Sequence, residues 1–335
     1  MLVSSHPSAL SALPLLRVRD LSVSYLGDQR QRVPALHKVD FDIWPGEIVG
    51  ILGESGAGKS TLATSLLRLR TTGTESCGSI SFQGQDLLQL DESSYRALRG
   101  AQIALIAQEP GLSLNFAMRV GDQVAEVIRA HSKVNSKTRR EQSEAVLREV
   151  GFSNVERVHR AYPHQLSGGE LHRIAIAQAI VCRPKLVIAD EPTRSLDVVA
   201  QAEILEVLRS THRNSGTALI LITHNPALLA GFADRVIVMY AGRILEEGPV
   251  GQVFQKPFHP YTEGLLQLFP TSRARVERSF KHLPVIPGAL VEADHRSAGC
   301  IFEPRCSSRT DVCHMEAPVE EIQQDRRVSC FNYGK

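Results

Sequence analysis

The sequence predicts an α/β fold: a mixed, mainly parallel core sheet, a flanking antiparallel β-subdomain, an inserted α-helical subdomain and a small cysteine-containing C-terminal extension. Three observations predict it. Short, almost wholly apolar runs at 47–52, 103–107, 186–189 and 218–223 alternate with stretches of helical period, as strands buried on both faces do. The glycine-rich stretch 53–61 lies between the first of these runs and Leu62, Leu66 and Leu69 at helical spacing. Two runs near the N-terminus alternate apolar and polar residues instead, the pattern of half-buried antiparallel strands.

Taken in order, residues 1–14 are small, polar and broken by proline, and are expected to form a loose leader without assigned function. Residues 16–25 and 39–44 are the alternating runs, the second ending at the turn Pro45-Gly46. Tyr25, at the end of its strand, is placed to stack on a purine ring. Residues 47–52 then deliver Gly53-Glu54-Ser55-Gly56-Ala57-Gly58-Lys59-Ser60-Thr61. Its spacing G-x-x-x-x-G-K-[ST] turns backbone N–H groups onto phosphate oxygens at the positive end of a helix. The bare pattern arises by chance in roughly one chain of this length in a hundred, and a strand before it with a helix after it lowers that further. Lys59 is expected to reach the β- and γ-phosphates, Ser60 to offer its hydroxyl to Mg²⁺, and Thr61 to lie near the α-phosphate. The chain therefore carries a nucleotide site of the P-loop NTPase kind.

Residues 78–82 form a further strand, and 103–107 a buried one that delivers Gln108 to the carboxyl edge of the sheet, where ligands gather in α/β folds. From 115 to about 181 the period turns helical, with Val120, Val124, Val127 and Ile128 on one face and Ala145, Val146, Leu147 and Val150 on another. This inserted subdomain closes with Leu166-Ser167-Gly168-Gly169-Glu170. Ser167 suits a helix N-cap, and with the free N–H groups of Gly168 and Gly169 it offers a second anion site. The apolar run 186–189 ends in Asp190 and Glu191. One strand-end acid commonly caps the following helix, but two beside a phosphate loop suit Asp190 holding Mg²⁺ through water and Glu191 polarising the attacking water. Ser195-Leu196-Asp197 leads into a helix, and 218–223 ends in His224. After Lys59, Gln108, Asp190 and Glu191, His224 is the next polar group at this sheet edge, and it is assigned to the γ-phosphate. Residues 235–240 and 243–247 form a closing hairpin around Ala241-Gly242. An amphipathic stretch at 261–268 and some pattern near 271–280 follow. The division expected is a nucleotide-binding domain at 15–270 and an extension at 271–335.

With 335 residues the chain can bury a sizeable core, in one large domain plus an appendage or in two domains. The formal charge of +2, from 38 basic and 36 acidic residues, leaves no excess to attract nucleic acid nonspecifically. No apolar run reaches the length of a membrane span, and Pro7 and Pro14 interrupt the N-terminal stretch, so a soluble cytosolic chain is expected.

These residues together resemble the ATP-binding-cassette (ABC) ATPases over residues 15–270. The motifs fall in the family's order: aromatic A-loop at Tyr25, Walker A at 53–61, Q-loop at Gln108, the LSGG signature at 166–169, Walker B through Asp190 with catalytic Glu191, D-loop at 195–197 and switch His224. The resemblance implies Gln108 as a further Mg²⁺ ligand beside Ser60 and Asp190. Tyr162-Pro163-His164-Gln165, Ser113-Leu114-Asn115, His259-Pro260-Tyr261-Thr262, Ile286-Pro287-Gly288 and residues 299–306 narrow the likeness to ATPase subunits of bacterial dipeptide, oligopeptide and nickel importers. There are departures: Glu170 stands where Gln or Met is usual, Asn225 follows His224 where Asp is typical, and Arg194-Ser195 replaces Thr-Ala. None removes a phosphate, metal or catalytic group.

The likeness implies a mechanism and partners. Two cassettes sandwich ATP head to tail, so 53–61 would face the LSGG of a second, related ATPase subunit, and Ser167 to Gly169 would complete that subunit's site. Two transmembrane permease subunits and an extracellular substrate-binding protein would complete an importer at the cytoplasmic face of the inner membrane. The competing reading is a soluble cassette ATPase acting on ribosomes or DNA; those relatives usually carry two cassettes or special insertions. A P-loop kinase or GTPase leaves 166–169 unexplained.

Cys300, Cys306, Cys313 and Cys330 crowd into the extension, whereas Cys77 and Cys182 stand alone. In a cytosolic chain this favours metal over disulfides. The spacing lacks the tight C-x2-C pairs of common zinc modules, so zinc, an iron–sulfur cluster and packed reduced thiols all stay open. The importer resemblance implies a [4Fe–4S] cluster, found in some members with a similar tail.

Overall fold

The alternating N-terminal runs pair with each other. In the computed structural model, which describes residues 13–27, 31–69, 72–269, 285–289, 298–323 and 325–333, β1 (Leu16–Leu26) and β2 (Arg32–Ile43) run antiparallel from Leu16 opposite Ile43 to Leu26 opposite Arg32. Leu16, Val18, Leu21 and Val23 face inward, and the change of phase after Val18 falls at Asp20, whose left-handed backbone (φ 49°) marks a register shift. Past β3 (Ile48–Leu52), strands β4 (Glu75–Phe82) and β5 (Gln85–Asp86) complete this small sheet in the order β2-β1-β4-β5. Most of the expected leader and the pattern near 271–280 lie outside the described residues.

The larger sheet adds β6 (Ile103–Ile106), β7 (Leu186–Asp190), β8 (Ala218–Thr223), β9 (Arg235–Tyr240), β10 (Arg243–Pro249), β11 (Glu321–Gln323) and β12 (Arg326–Val328), in the order β11-β12-β10-β9-β3-β8-β7-β6. From β9 to β6 its strands are parallel. Every residue of β3, β7 and β8 is buried, because successive side chains enter two different cores. Val49, Ile51, Ile188 and Ile220 join the β-subdomain and the helix Lys59–Leu66; Leu52, Val187, Ala189 and Leu221 join the helical layer. All five parallel strands present their carboxyl ends along one edge, which is where the polar residues singled out above are delivered.

Between β6 and β7 the insertion forms the helices Pro110–Ser113, Val120–His131, Ser136–Glu149, Val155–Arg160 and Gly168–Ile180. Val120 and Val124 share a core with Val146, Leu147 and Val150, and Ile128 is buried as well, while Ala145, assigned to that face by period, is exposed. Asn135 and Asn154 cap their helices by accepting from the N–H groups of Thr138 and Arg157.

The extension is joined to the main sheet rather than appended to it. β12 adds to the edge of β10, with Glu246 opposite Val328, and Phe302 packs edge-on at 5.3 Å from Tyr240. Nothing in the local pattern marks β12 as a strand, because its arginines look like surface residues. Arg326 is instead buried, paired with the wholly buried Glu246 and stacked 3.4 Å from the Phe258 ring centre, while Arg327 and Arg235 both pair with Glu247.

Glu246 also accepts the N–H groups of Phe258 and His259, which fixes the start of the helix Pro260–Gln267. His259 Nδ1 accepts from Tyr261 N–H at 3.0 Å, and burial pushes the imidazole pKa down to about 3. It is therefore neutral when folded but titrates near its ordinary value when unfolded. Below about pH 6.5 the unfolded chain binds a proton that the folded chain does not. This contribution to stability is complete above that pH and falls by about 1.4 kcal/mol per pH unit toward pH 3. Urea unfolding of His259→Gln between pH 7 and 4 is expected to show a shallower loss of stability than the parent; equal slopes would contradict a neutral buried imidazole.

Candidate functional site

The phosphate loop leaves β3 at Gly53, where an added Cβ would lie 2.3 Å from the Met239 carbonyl oxygen, so no side chain fits. Gly58, at φ 99°, supplies the left-handed turn that opens the helix Lys59–Leu66. Lys59 is 5% exposed, and its Nζ donates to the carbonyls of Gly53 and Glu54, both at 2.8 Å. Burial lowers its pKa, opposed by the carboxylates of Glu191, Asp190 and Glu54. A buried ammonium with two replaceable carbonyl partners is ready to exchange them for phosphate oxygens.

Asp190 lies at the end of β7, 6% exposed, with its pKa raised chiefly by burial although the Ser60 hydroxyl bonds to it. Its Oδ1 has no hydrogen-bond partner. A buried, unsatisfied carboxylate oxygen beside a hydroxyl is a donor set that fits a hard divalent cation such as Mg²⁺. Glu191 follows with a left-handed backbone (φ 46°), its N–H donating to the Ile222 carbonyl at 3.0 Å. That strained turn separates the two acids. Glu191 Oε1 sits 3.0 Å from His224 Nδ1, and Oε2 accepts from Gln108 Nε2 at 3.3 Å. Gln108, Glu191 and His224, from three different strand ends, thus meet at one carboxylate.

Lys59, Ser60, Thr61, Gln108, Glu191 and His224 line one open cleft of about 1300 Å³, together with Glu54, Ser55, Gly56 and Gly58. Ala57 is fully buried beneath the loop. Tyr25 stands aside from the cleft. Its hydroxyl nevertheless lies 3.3 Å from Oγ1 of Thr61, which lines the cleft together with Pro34 and Ala35.

Ser167, Gly168 and Gly169 are not brought into this cleft. Ser167 caps the helix Gly168–Ile180 by accepting from Glu170 N–H, and Glu170 returns a bond to Ser167 N–H at 2.9 Å. Glu170 also pairs with Arg157, so the unusual residue after LSGG completes a capping box. A Cβ on Gly168 or Gly169 would meet nothing within 4 Å. Packing within this chain therefore does not demand glycine at either position. Asn225, the other unusual residue, caps the turn Pro226–Leu228 by accepting from Ala227 N–H.

Sequence reasoning left two residues of this neighbourhood without a role. The Tyr261 hydroxyl accepts from Glu54 N–H at 2.9 Å, and Arg305 forks onto the Glu54 carboxylate. Both stand in motifs that narrowed the resemblance, but neither motif has a local signal of contact with a loop more than 200 residues away.

Residues 36–194 match the family model described as ABC transporter, and 245–313 the one described as Oligopeptide/dipeptide transporter, C-terminal region. The chain is 41% identical over 322 residues to the dipeptide transport ATP-binding protein DppD of Escherichia coli (strain K12), covering 96% of this chain and 97% of that one. It is 39% identical to the oligopeptide transport ATP-binding protein AppD of Bacillus subtilis (strain 168), over 95% of this chain and 97% of that one. The chain belongs to the ABC transporter ATP-binding proteins. Among solved structures, this ABC chain resembles the dimeric cassette MJ0796 in a post-hydrolysis state bound to ADP and Pi, at TM-score 0.63 and 26% identity, covering 70% of this chain and 98% of that one. It also resembles cbiO1 of Clostridium perfringens, part of the ABC transporter complex cbiONQ, at TM-score 0.60 and 27% identity, covering 72% and 91%. The α/β cassette fold expected from the sequence is thereby shown.

Of the four tail cysteines of this ABC chain, Cys300, Cys313 and Cys330 are buried and Cys306 is half-buried. Burial lifts the Cys300 thiol to about 11, and the other three thiols each add to that shift; burial also raises Cys306 and Cys330. Among the described residues, however, no group of three or more His, Cys, Asp or Glu side chains is placed to hold a metal ion. The structure gives no support to the iron–sulfur cluster that the resemblance implied.

Proposed function

We propose that this chain is the ATP-hydrolysing subunit of an ABC importer for dipeptides or oligopeptides. The observation that carries the reading is Glu191, held by Gln108 and His224 in the cleft of the phosphate loop. Lys59 and the loop N–H groups bind the triphosphate, and Tyr25, beside Thr61, serves the base. Glu191 accepts the proton of the attacking water, with His224 and Gln108 fixing its carboxylate. Ser60, Asp190 and Gln108 would hold Mg²⁺, which would neutralise charge on the phosphates.

The exposed signature supports a shared site. Ser167 to Gly169 lie outside this chain's own cleft, and the two glycines face open space. They are offered to the nucleotide of a second, related cassette subunit, whose own signature completes the site at 53–61. ATP thus closes the pair, and hydrolysis at Glu191 withdraws the clamp. Driving a closed population from about 1:99 to 99:1 needs about 5.5 kcal/mol of differential binding, a scale that a γ-phosphate held from two sides can reach.

The nucleotide-binding unit spans 15–270 and the extension 271–335. Among the described residues no helix is long and apolar enough to cross a membrane. In this reading two permease subunits supply the path, with an extracellular binding protein choosing the cargo, and this chain works at the cytoplasmic face of the inner membrane. The names of the relatives favour peptides over nickel and favour transport over ribosome or DNA work. The complex purified with its permeases and placed in proteoliposomes is expected to take up a labelled dipeptide or short peptide only with MgATP. Uptake of Ni²⁺ but no peptide would overturn the substrate reading.

A further inference from the structure

Glu54, the second residue of the phosphate loop, places a carboxylate at the rim of the cleft that is to receive a polyanion. Arg305, from the turn Glu303–Arg305 in the C-terminal extension, grips it with both terminal nitrogens: Nη1 donates to Oε2 at 2.7 Å and Nη2 to Oε1 at 3.1 Å. The guanidinium is itself held. Its Nε donates to the Pro287 carbonyl at 2.8 Å, Nη2 reaches the Ile286 carbonyl at 3.4 Å, and the side chain is 5% exposed. The Tyr261 hydroxyl fixes the same loop residue through its backbone, accepting from Glu54 N–H. Arg305 and Gly288 of the extension line the cleft beside Lys59 and Ser60.

An unpaired carboxylate here would face the phosphates, and it lies close enough to Lys59 to act on its charge. Lysine is a point charge, whereas the planar arginine fork can cancel the carboxylate and fix its orientation at once. We propose that Arg305 is a positioning residue of the ATP site: it neutralises Glu54 and anchors the entry of the phosphate loop, which makes the C-terminal extension part of the nucleotide-binding machinery. The inference rests on the nucleotide-site reading above and adds a residue that lies outside the ATP-site motifs of the cassette.

The test uses the full chain and measures MgATP affinity by displacement of a fluorescent ATP analogue. Arg305→Ala is expected to weaken MgATP about tenfold or more, because it leaves a carboxylate facing the phosphates. Glu54→Gln added to Arg305→Ala is expected to bind MgATP several-fold or more tightly than Arg305→Ala alone, because the carboxylate left facing the phosphates is gone. Arg305→Lys, which keeps the charge without the fork, should fall between the parent and Arg305→Ala. The loss in Arg305→Ala should also shrink at high salt, as a repulsion does. Rescue by the second substitution is the readout that a purely structural role for Arg305 would not move. The proposal is overturned if the double variant is as weak as Arg305→Ala or weaker, or if Arg305→Ala binds MgATP as the parent does. A parent chain that binds no MgATP would remove the nucleotide reading itself, and with it this inference.

Discussion

Glu191→Gln is expected to slow ATP turnover at least about 100-fold while leaving MgATP affinity within about threefold of the parent. The amide is nearly isosteric and can still meet Gln108 and His224, which lie 3.3 and 3.0 Å from the two carboxylate oxygens. What it loses is the ability to accept a proton from water, and general-base contributions of this kind span about 10² to 10⁴ in rate. Lys59, proposed to meet the phosphates, and Ser60, proposed to meet Mg²⁺, are untouched. Phosphate release and nucleotide binding, measured on the same preparation, check the split. Wild-type turnover in the variant would remove Glu191 from its assigned role.

Lys59→Ala is expected to weaken MgATP by at least about 100-fold, an effect on binding rather than on the chemical step. The ammonium is the cation that Asp190, Glu191 and Glu54 all act upon. Without it Asp190 and Glu191 confront a triphosphate, and the charge-assisted bonds to phosphate are lost, each worth about 1.5–3 kcal/mol. Two such bonds account for a factor of about 100 or more. The carbonyls of Gly53 and Glu54 also lose their partner, so the urea midpoint should be measured beside the affinity. Near-parental affinity would contradict the phosphate role.

The parts of the fold legible in the sequence are those where one physical demand dominates. β3, β7 and β8 are buried throughout, so their sequences are apolar up to their last residue, and the polar residues at or just past their ends stand out. This is why Asp190, Glu191 and His224 could be named before their geometry was known. The helix Glu92–Leu98 went unread because Tyr95 is its one buried residue and no period forms. β12 went unread because its burial depends on carboxylates 80 residues earlier in the chain. Arg305 shows the same limit in the site, since a bond spanning 251 residues leaves no local trace. Glu170 and Asn225 looked like departures from family habit; the structure gives each a capping bond.

The central claim is that 53–61 is half of a site and needs a signature from another chain. Light scattering on Glu191→Gln with its partner cassette, a second copy or a related subunit, tests it most directly. Saturating MgATP is expected to raise the mass from that of separate cassettes to that of a pair, and removing nucleotide to reverse it. A mass that stays that of single chains while MgATP is bound would contradict the account.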